Sequence, residues 1–236
     1  MGRTRGKIRK PQKIAAEIGA EILSGHLRPK ARLATETHGS DDRLVSRPAY
    51  REAIRILAAK GLIEAWPGMG TRVAAAQSWH LLDPEVLSWM FAGETKLPTL
   101  VALFELRGII EPQIAALAAE RRTARQLTDM GAALETMARV DLKSPEGQQA
   151  DEDFHLKLIE ACGNPFLGSM RSSVTAAIAA STAYKHRTRR SSRNCIPDHR
   201  RIFDAVAAGD AQASAHAMRE LIQMALADAL KTQPAA

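Results

Sequence analysis

Five polar residues stand where apolar ones are due. On a helical wheel of residues 98–122, Leu100, Leu103, Phe104 and Ile114 define an apolar arc, and Arg107 and Glu111 fall inside it. Over residues 147–163 the arc is set by Ala150, Phe154, Leu158 and Ile159, with Asp151 and His155, four apart, in its middle. Over residues 197–208, Ile202, Phe203 and Val206 surround His199. A buried polar group costs roughly 1–3 kcal/mol unless it is satisfied. Five such groups facing inward from three helices should therefore meet one another, a ligand or a metal. Simpler readings stand beside this one. Arg107–Glu111 and Asp151–His155 are each spaced as plain i,i+4 pairs, and a single inward histidine is commonly a core residue with one hydrogen bond.

A second set lies near the N-terminus. Arg47, Arg51 and Arg55 recur every four residues and form one basic stripe opposite Tyr50, Ala53, Ile54 and Leu57. A helix presenting arginine near its start suits the major groove of DNA, where guanidinium bonds phosphates or guanine edges. The alternative is a solvated face on an ordinary helix. Charge distribution bears on the choice. Residues 1–78 hold 15 Lys and Arg against 7 Asp and Glu, whereas residues 79–236 hold 18 against 19. The excess positive charge thus lies in the first third, the footprint of a nucleic-acid-binding module joined to a neutral one.

The elements that must position these residues are legible as periodic segments. Residues 1–10 carry five basic residues and read as a flexible arm. Ile14, Ile18 and Ile22 mark a helix from Pro11 to Ser24, stopped by Gly25. Ser46 can cap a second helix running to Lys60, with Pro48 in its first turn. The segments 62–66 and 71–75 flank a Pro67-Gly68-Met69-Gly70 turn and read as a β-hairpin. Residues 76–84 read as a linker, and helices are expected at 84–92, 98–122, 124–139, 147–163, 165–187, 197–208 and 211–231. The chain of 236 residues is 45% hydrophobic and only 4% aromatic, rich in the helix former alanine. No apolar run approaches the ~20 residues a membrane span needs. With no secretory pattern at the N-terminus, a cytoplasmic protein is expected. The two cysteines, Cys162 and Cys195, sit in no metal or redox spacing.

The run Val45-Ser46-Arg47-Pro48-Ala49-Tyr50-Arg51-Glu52-Ala53-Ile54-Arg55, followed by Lys60-Gly61-Leu62-Ile63-Glu64 and Gly68-Met69-Gly70-Thr71-Arg72-Val73, resembles the winged helix of the GntR family. The resemblance implies that Ser46, Arg47 and Arg51 contact double-stranded operator DNA, with Arg55, Gly70 and Thr71 in the same DNA-facing set and Gly70 at the wing tip. One stretch departs from the pattern. The family's second helix should fill residues 36–44 with leucines near positions 39 and 43, which here are Gly39 and Arg43.

Further on, Glu105-Leu106-Arg107, Ile110-Glu111-Pro112, Asp151, Phe154-His155, Asn164-Pro165, Asp198-His199 and Phe203-Asp204-Ala205-Val206 resemble the FCD effector domain of the FadR branch of that family. The resemblance implies a helical bundle whose cavity holds a divalent metal on one Asp and three His, and a carboxylate effector. Asp151, His155 and His199 match three of those ligands, a set that suits Zn, Ni or Mn. The fourth is due at Leu221, and His216 nearby projects away from Ile222 and Ala225. Arg107, with Glu111 beside it, is the candidate for the effector carboxylate, because guanidinium binds it bidentately. The segment Trp79-His80-Leu81-Leu82-Asp83-Pro84-Glu85-Val86-Leu87-Ser88-Trp89 is similar to that of the galactonate-responsive branch, which implies a sugar acid such as an aldonate. Otherwise Trp79 and Trp89 are expected to pack between domains. The basic run from Lys185 to Arg201 reads as a solvated loop, with DNA or an anionic effector as its other use.

The expectation is a mainly α protein: a winged helix-turn-helix over 11–76, a linker and linker helix over 77–97, and an all-α FCD-type bundle over 98–231. It would act as a homodimeric transcription regulator, a repressor relieved by its effector, and not as an enzyme. A metal-dependent hydrolase built on Asp151, His155 and His199 lacks any defined nucleophile or general base. A ligand- or metal-binding protein with a weakened DNA module remains a rival, motivated by Gly39 and Arg43.

Overall fold

A computed structural model describes residues 10–33, 46–66, 68, 70–93, 95–186 and 193–231. The basic arm, the segment holding Gly39 and Arg43, and the arginines of 187–192 lie outside these residues. The chain divides into two compact units, Met1–Thr95 and Lys96–Ala236.

In the first unit, α1 (Pro11–Ser24) starts on a proline that needs no N–H partner and stops at Gly25, whose left-handed φ of 86° lets its N–H reach the Ile22 carbonyl. Its buried side is Ile14, Ala15, Gly19 and Ile22. Helix α2 (Arg47–Ala59) is capped by Ser46, whose hydroxyl accepts the Ala49 N–H at 3.3 Å, and buries Ala49, Ala53 and Leu57 against α1. The hairpin of β1 (Ile63–Trp66) and β2 (Gly70–Val73) pairs Ile63 with Val73 and Trp66 with Gly70. Residues 30–33 add a short third rung to β2, through Lys30 N–H to the Val73 carbonyl (2.8 Å) and Leu33 N–H to that of Thr71 (2.9 Å). A 3₁₀ turn at Ala76–Ser78 leads to α3 (Pro84–Ala92).

Helix α3 lies in the segment expected to link the domains, yet it packs on α1. Trp89 is 9% exposed and belongs to the same core as Ile22, Leu57 and Val73, and Trp79 packs against it. A Cβ on Gly19 would lie 2.4 Å from the Trp89 ring, so only glycine admits the indole. The expected packing of these tryptophans between domains is thus replaced by packing within the first unit, because a large flat ring needs a deep slot and α1 offers one. Lys60 ties the start of α3 to the end of α2 through Asp83 (2.8 Å) and Glu85 (2.7 Å).

The second unit is all helix: α4 (Leu97–Arg121), α5 (Ala124–Arg139), α6 (Pro145–Ala161), α7 (Pro165–Ser169), α8 (Arg171–His186), α9 (Ile196–Ala208) and α10 (Ala211–Leu230). Helix α4 packs on α6, α8, α9 and α10. Starts are set by side-chain caps at Thr123, Ser144, Asn164 and Asp210. The helix expected over 165–187 is instead two, broken at Met170. Gly168 is a weak helix former, and the Ser169 hydroxyl takes the Phe166 carbonyl at 2.7 Å, competing with the backbone ladder. Helix α6 begins at Pro145, two residues earlier than expected, because Ser144 caps it, and ends before Gly163, whose φ is 62°. Among the described residues no helix is long and apolar enough to cross a membrane.

Candidate functional site

Within the helical unit one pocket is lined by Phe104 and Arg107 of α4, Leu142 of the turn before α6, Asp151 and His155 of α6, Ser181 and Thr182 of α8, His199 of α9, and Leu221 and Ala225 of α10. Arg193 and Cys195, just before α9, line it too. All five inward polar residues expected from the sequence lie at or against this pocket, in two linked groups.

The first group runs from α8 through α4 to α6. Arg107 is 6% exposed and Glu111 2%. The guanidinium grips Glu111 with Nε (2.6 Å) and Nη2 (3.4 Å), and Nη1 donates to the Ser181 hydroxyl at 2.5 Å. Among the described residues this engages three of its five N–H groups, leaving two for a pocket ligand. Glu111 Oε2, which accepts the longer Nη2 bond, also lies 3.2 Å from His155 Nδ1. Burial alone would raise the Glu111 carboxyl; the Arg107 charge and the His155 hydrogen bond outweigh it and hold the pKa down at about 2. Ser181 was missed by sequence reasoning, since a serine on an alanine-rich helix carries no mark of its partner.

The second group joins α6 to α9. His199 is 2% exposed. Its Nδ1 lies 2.9 Å from the Cys195 carbonyl, one turn back, and its Nε2 lies 3.0 Å from Asp151 Oδ1. That second contact is an ion pair whose geometry falls short of a regular hydrogen bond, and Nε2 is buried. Burial would lower the imidazole pKa, but Asp151 and Cys195 outweigh it and raise it to about 10. Phe154 holds both imidazoles edge-on, with ring centroids 5.8 Å from His155 and 5.2 Å from His199.

Asp151, His155 and His199 bring one ligand atom each to within 4.8 Å of one another. They fit a divalent metal. The Glu111 carboxylate and the Cys195 carbonyl each face a Nδ1, which leaves Nε2 as the ligating nitrogen of each ring, the arrangement in which outer groups fix ligating histidines. The buried, bond-free Nε2 of His199 is the atom a cation would take, in place of a proton. At the position due for a fourth ligand, Leu221 is 5% exposed and gives the pocket an apolar wall. His216 is exposed and lies 3.5 Å from Glu220 on its own helix.

Around the rim, Asp198 is buried between Arg193 and Arg201, and Arg201 continues to Glu220 at 2.8 Å. Arg193, expected in a solvated basic loop, and Cys195, in no metal or redox spacing, are both brought to the pocket by the turn into α9. The signal available was the four-residue step from Cys195 to His199.

In the first unit, Arg47, Arg51 and Arg55 are exposed together on the face of α2 opposite Ala49, Ala53 and Leu57. Arg55 also pairs with Glu52 at 3.2 Å. The Ser46 hydroxyl accepts one bond in the helix cap, and its O–H can still donate. Gly70 has φ 82°, in the left-handed region, and opens β2 opposite Trp66. Thr71 faces Ala65 across the hairpin. Arg72 is a bracing residue: its guanidinium stacks over Trp66 at 5.7 Å and donates to the Lys30 carbonyl at 3.3 Å.

A basic helix with a hairpin wing in one unit, and a polar pocket within a helical bundle in the other, define a class: DNA-binding regulators that carry their own sensor domain. Comparison with known proteins gives the particular family. The FCD domain family matches residues 102–224, and the bacterial regulatory proteins of the gntR family match residues 10–73. The chain belongs to the GntR family of transcriptional regulators, in the branch that carries an FCD domain. Its relatives are regulators and not enzymes. It is 28% identical to the galactonate operon transcriptional repressor of Escherichia coli K12, covering 91% of this chain and 94% of the relative. It is 30% identical to the transcriptional regulator LutR of Bacillus subtilis, covering 85% and 92%. Its fold is similar to that of Lar, which controls expression of the Listeria monocytogenes agr system, with a TM-score of 0.65, 18% identity, and 97% and 100% of the two chains covered.

Proposed function

We propose that this regulator is a homodimeric repressor whose grip on a pseudo-palindromic operator is released by a small carboxylate, a sugar acid such as an aldonate, bound in the pocket of residues 98–231. The observation that carries the reading is the buried pocket in which Arg107 keeps two N–H groups available beside Asp151, His155 and His199. A guanidinium held rigid by Glu111 and Ser181 is pre-organised for a carboxylate, and the neighbouring carboxylate and imidazoles suit hydroxyls or a metal. The similarity to a galactonate operon repressor supports both the sign and the acid.

Asp151, His155 and His199 would hold a Zn, Ni or Mn ion, which supplies Lewis acidity to grip an effector oxygen. On the DNA side, Ser46, Arg47, Arg51 and Arg55 would meet the major groove and its phosphates, with Gly70 and Thr71 of the wing against the backbone. The effector shifts the equilibrium between two dimer arrangements by binding one better than the other.

Fluorescence anisotropy of the purified protein on DNA from its own promoter region, against scrambled DNA and with a panel of aldonates, tests the reading. Sequence-preferring binding released by one acid is the expected result. Salt-sensitive binding without preference would overturn the repressor reading and favour a ligand-binding protein with a weakened DNA module.

A further inference from the structure

The metal-capable cluster has a carboxylate and two imidazoles, and the helix due to give a fourth ligand offers Leu221 and Ala225 instead. Four protein ligands are the rule for a closed tetrahedral site, and three leave a position for another donor. The remaining polar lining narrows the choice. Arg107 and Arg193 are cations, and the Ser181 hydroxyl is taken between Arg107 and the Ile178 carbonyl. Among the described lining residues, with the Thr182 hydroxyl a weak neutral donor, Cys195 is left as the further ionisable donor that metals favour.

Cys195 is well placed for that role. It is the N-cap residue of α9, yet its side chain makes no capping bond, so the thiol is not spent on the helix. It stands one helical turn before His199, and its own carbonyl faces His199 Nδ1 at 2.9 Å. An independent observation points to a ligand at the same place: His199 Nε2 is buried in a residue 2% exposed, with no hydrogen-bond partner. The sulfur is not among the atoms that cluster within 4.8 Å, so ligation needs a turn about χ1, the single side-chain torsion of cysteine.

We infer that Cys195 is the fourth protein ligand of this centre, binding a divalent metal as a thiolate in place of the absent histidine. The inference rests on the metal-centre reading proposed above. The thiol proton is released to solvent as the sulfur–metal bond forms, and no electron changes hands. A set of one carboxylate, two imidazoles and one thiolate favours Zn over Mn, since the soft sulfur prefers the later metal.

Cobalt(II) serves as the probe, added to the metal-stripped full-length protein and to its C195S and C162A variants. Serine is a favoured N-cap, so C195S keeps α9 intact, and far-ultraviolet circular dichroism checks each fold. The expected result is a set of tetrahedral visible bands together with a near-ultraviolet thiolate-to-cobalt charge-transfer band. That charge-transfer band should persist in C162A and vanish in C195S, with zinc affinity by chelator competition falling about tenfold or more in C195S. Visible bands without a charge-transfer band, and unchanged zinc affinity in C195S, would overturn the role of Cys195 while the centre itself stands. Failure to take up cobalt or zinc at all would overturn the centre, and the cysteine's role with it.

Discussion

Glu111 shows how much one buried side chain can hold in place. It neutralises Arg107 and faces Nδ1 of His155 with its second oxygen. Glu111→Ala would leave a buried guanidinium without its counter-charge, which typically costs about 3–5 kcal/mol. Urea unfolding should show that loss; a drop under about 1 kcal/mol would mean that the arginine escapes to water. Leu221→His is the converse change. It puts an imidazole on the apolar wall beside the cluster, and in a C195S background, where the fourth position is open, zinc affinity by chelator competition should rise on the order of tenfold, about 1.4 kcal/mol. Unchanged affinity would show that the α10 backbone is too far from the ion to donate.

Two contacts decide how the elements of the first unit fit. Gly19 makes the slot for Trp89, with a would-be Cβ at 2.4 Å from the ring. Gly19→Ala should therefore destabilise this unit by about 1–3 kcal/mol through overpacking, although alanine is the better helix former. A thermal melt that rises instead would show that α3 yields easily. Asp83 caps α3 by accepting the Glu85 and Val86 N–H groups and pairs with Lys60. Burial pushes its carboxyl up, but Lys60 and the backbone donors outweigh it and hold it below the ordinary value. Because the folded pKa is the lower one, the pairing adds stability above the unfolded pKa of about 4 and loses it as pH falls through the folded value. Asp83→Asn, which keeps a good cap but removes the charge, should flatten that acid-side loss in melts taken across this range.

At the scale of the whole molecule, the basic face of α2 and the pocket of the helical unit are separate instruments, and each has its own readout. Arg47→Ala should weaken operator binding by about 1–3 kcal/mol, without changing effector affinity by calorimetry. Equal operator binding by the variant would remove Arg47 from the interface. Conversely, an effector at a hundred times its dissociation constant should stabilise the chain by about 2.7 kcal/mol, read as a shift of the melting transition that the Arg47 variant retains.

Local signals made much of this legible. Ser46, the two prolines that open α1 and α2, Gly25 and the hairpin glycines act within a few residues, so caps, turns and the winged helix could be read directly. The inward positions of Arg107, Glu111, Asp151, His155 and His199 followed from periodicity, because a helix sends every third or fourth side chain to one face. What periodicity lacks is the partner. That Glu111 faces His155, that Ser181 takes the third N–H of Arg107, and that Trp89 fills a slot at Gly19 depend on helices packed from distant parts of the chain. The break at Met170 hung on small competing bonds at Gly168 and Ser169. Sequence spacing alone gives Cys195 no role. Only the turn into α9, folded against α4, α5 and α10, sets it on the same pocket as Asp151 and His155, since proximity across a bundle is a property of packing and not of the order of residues.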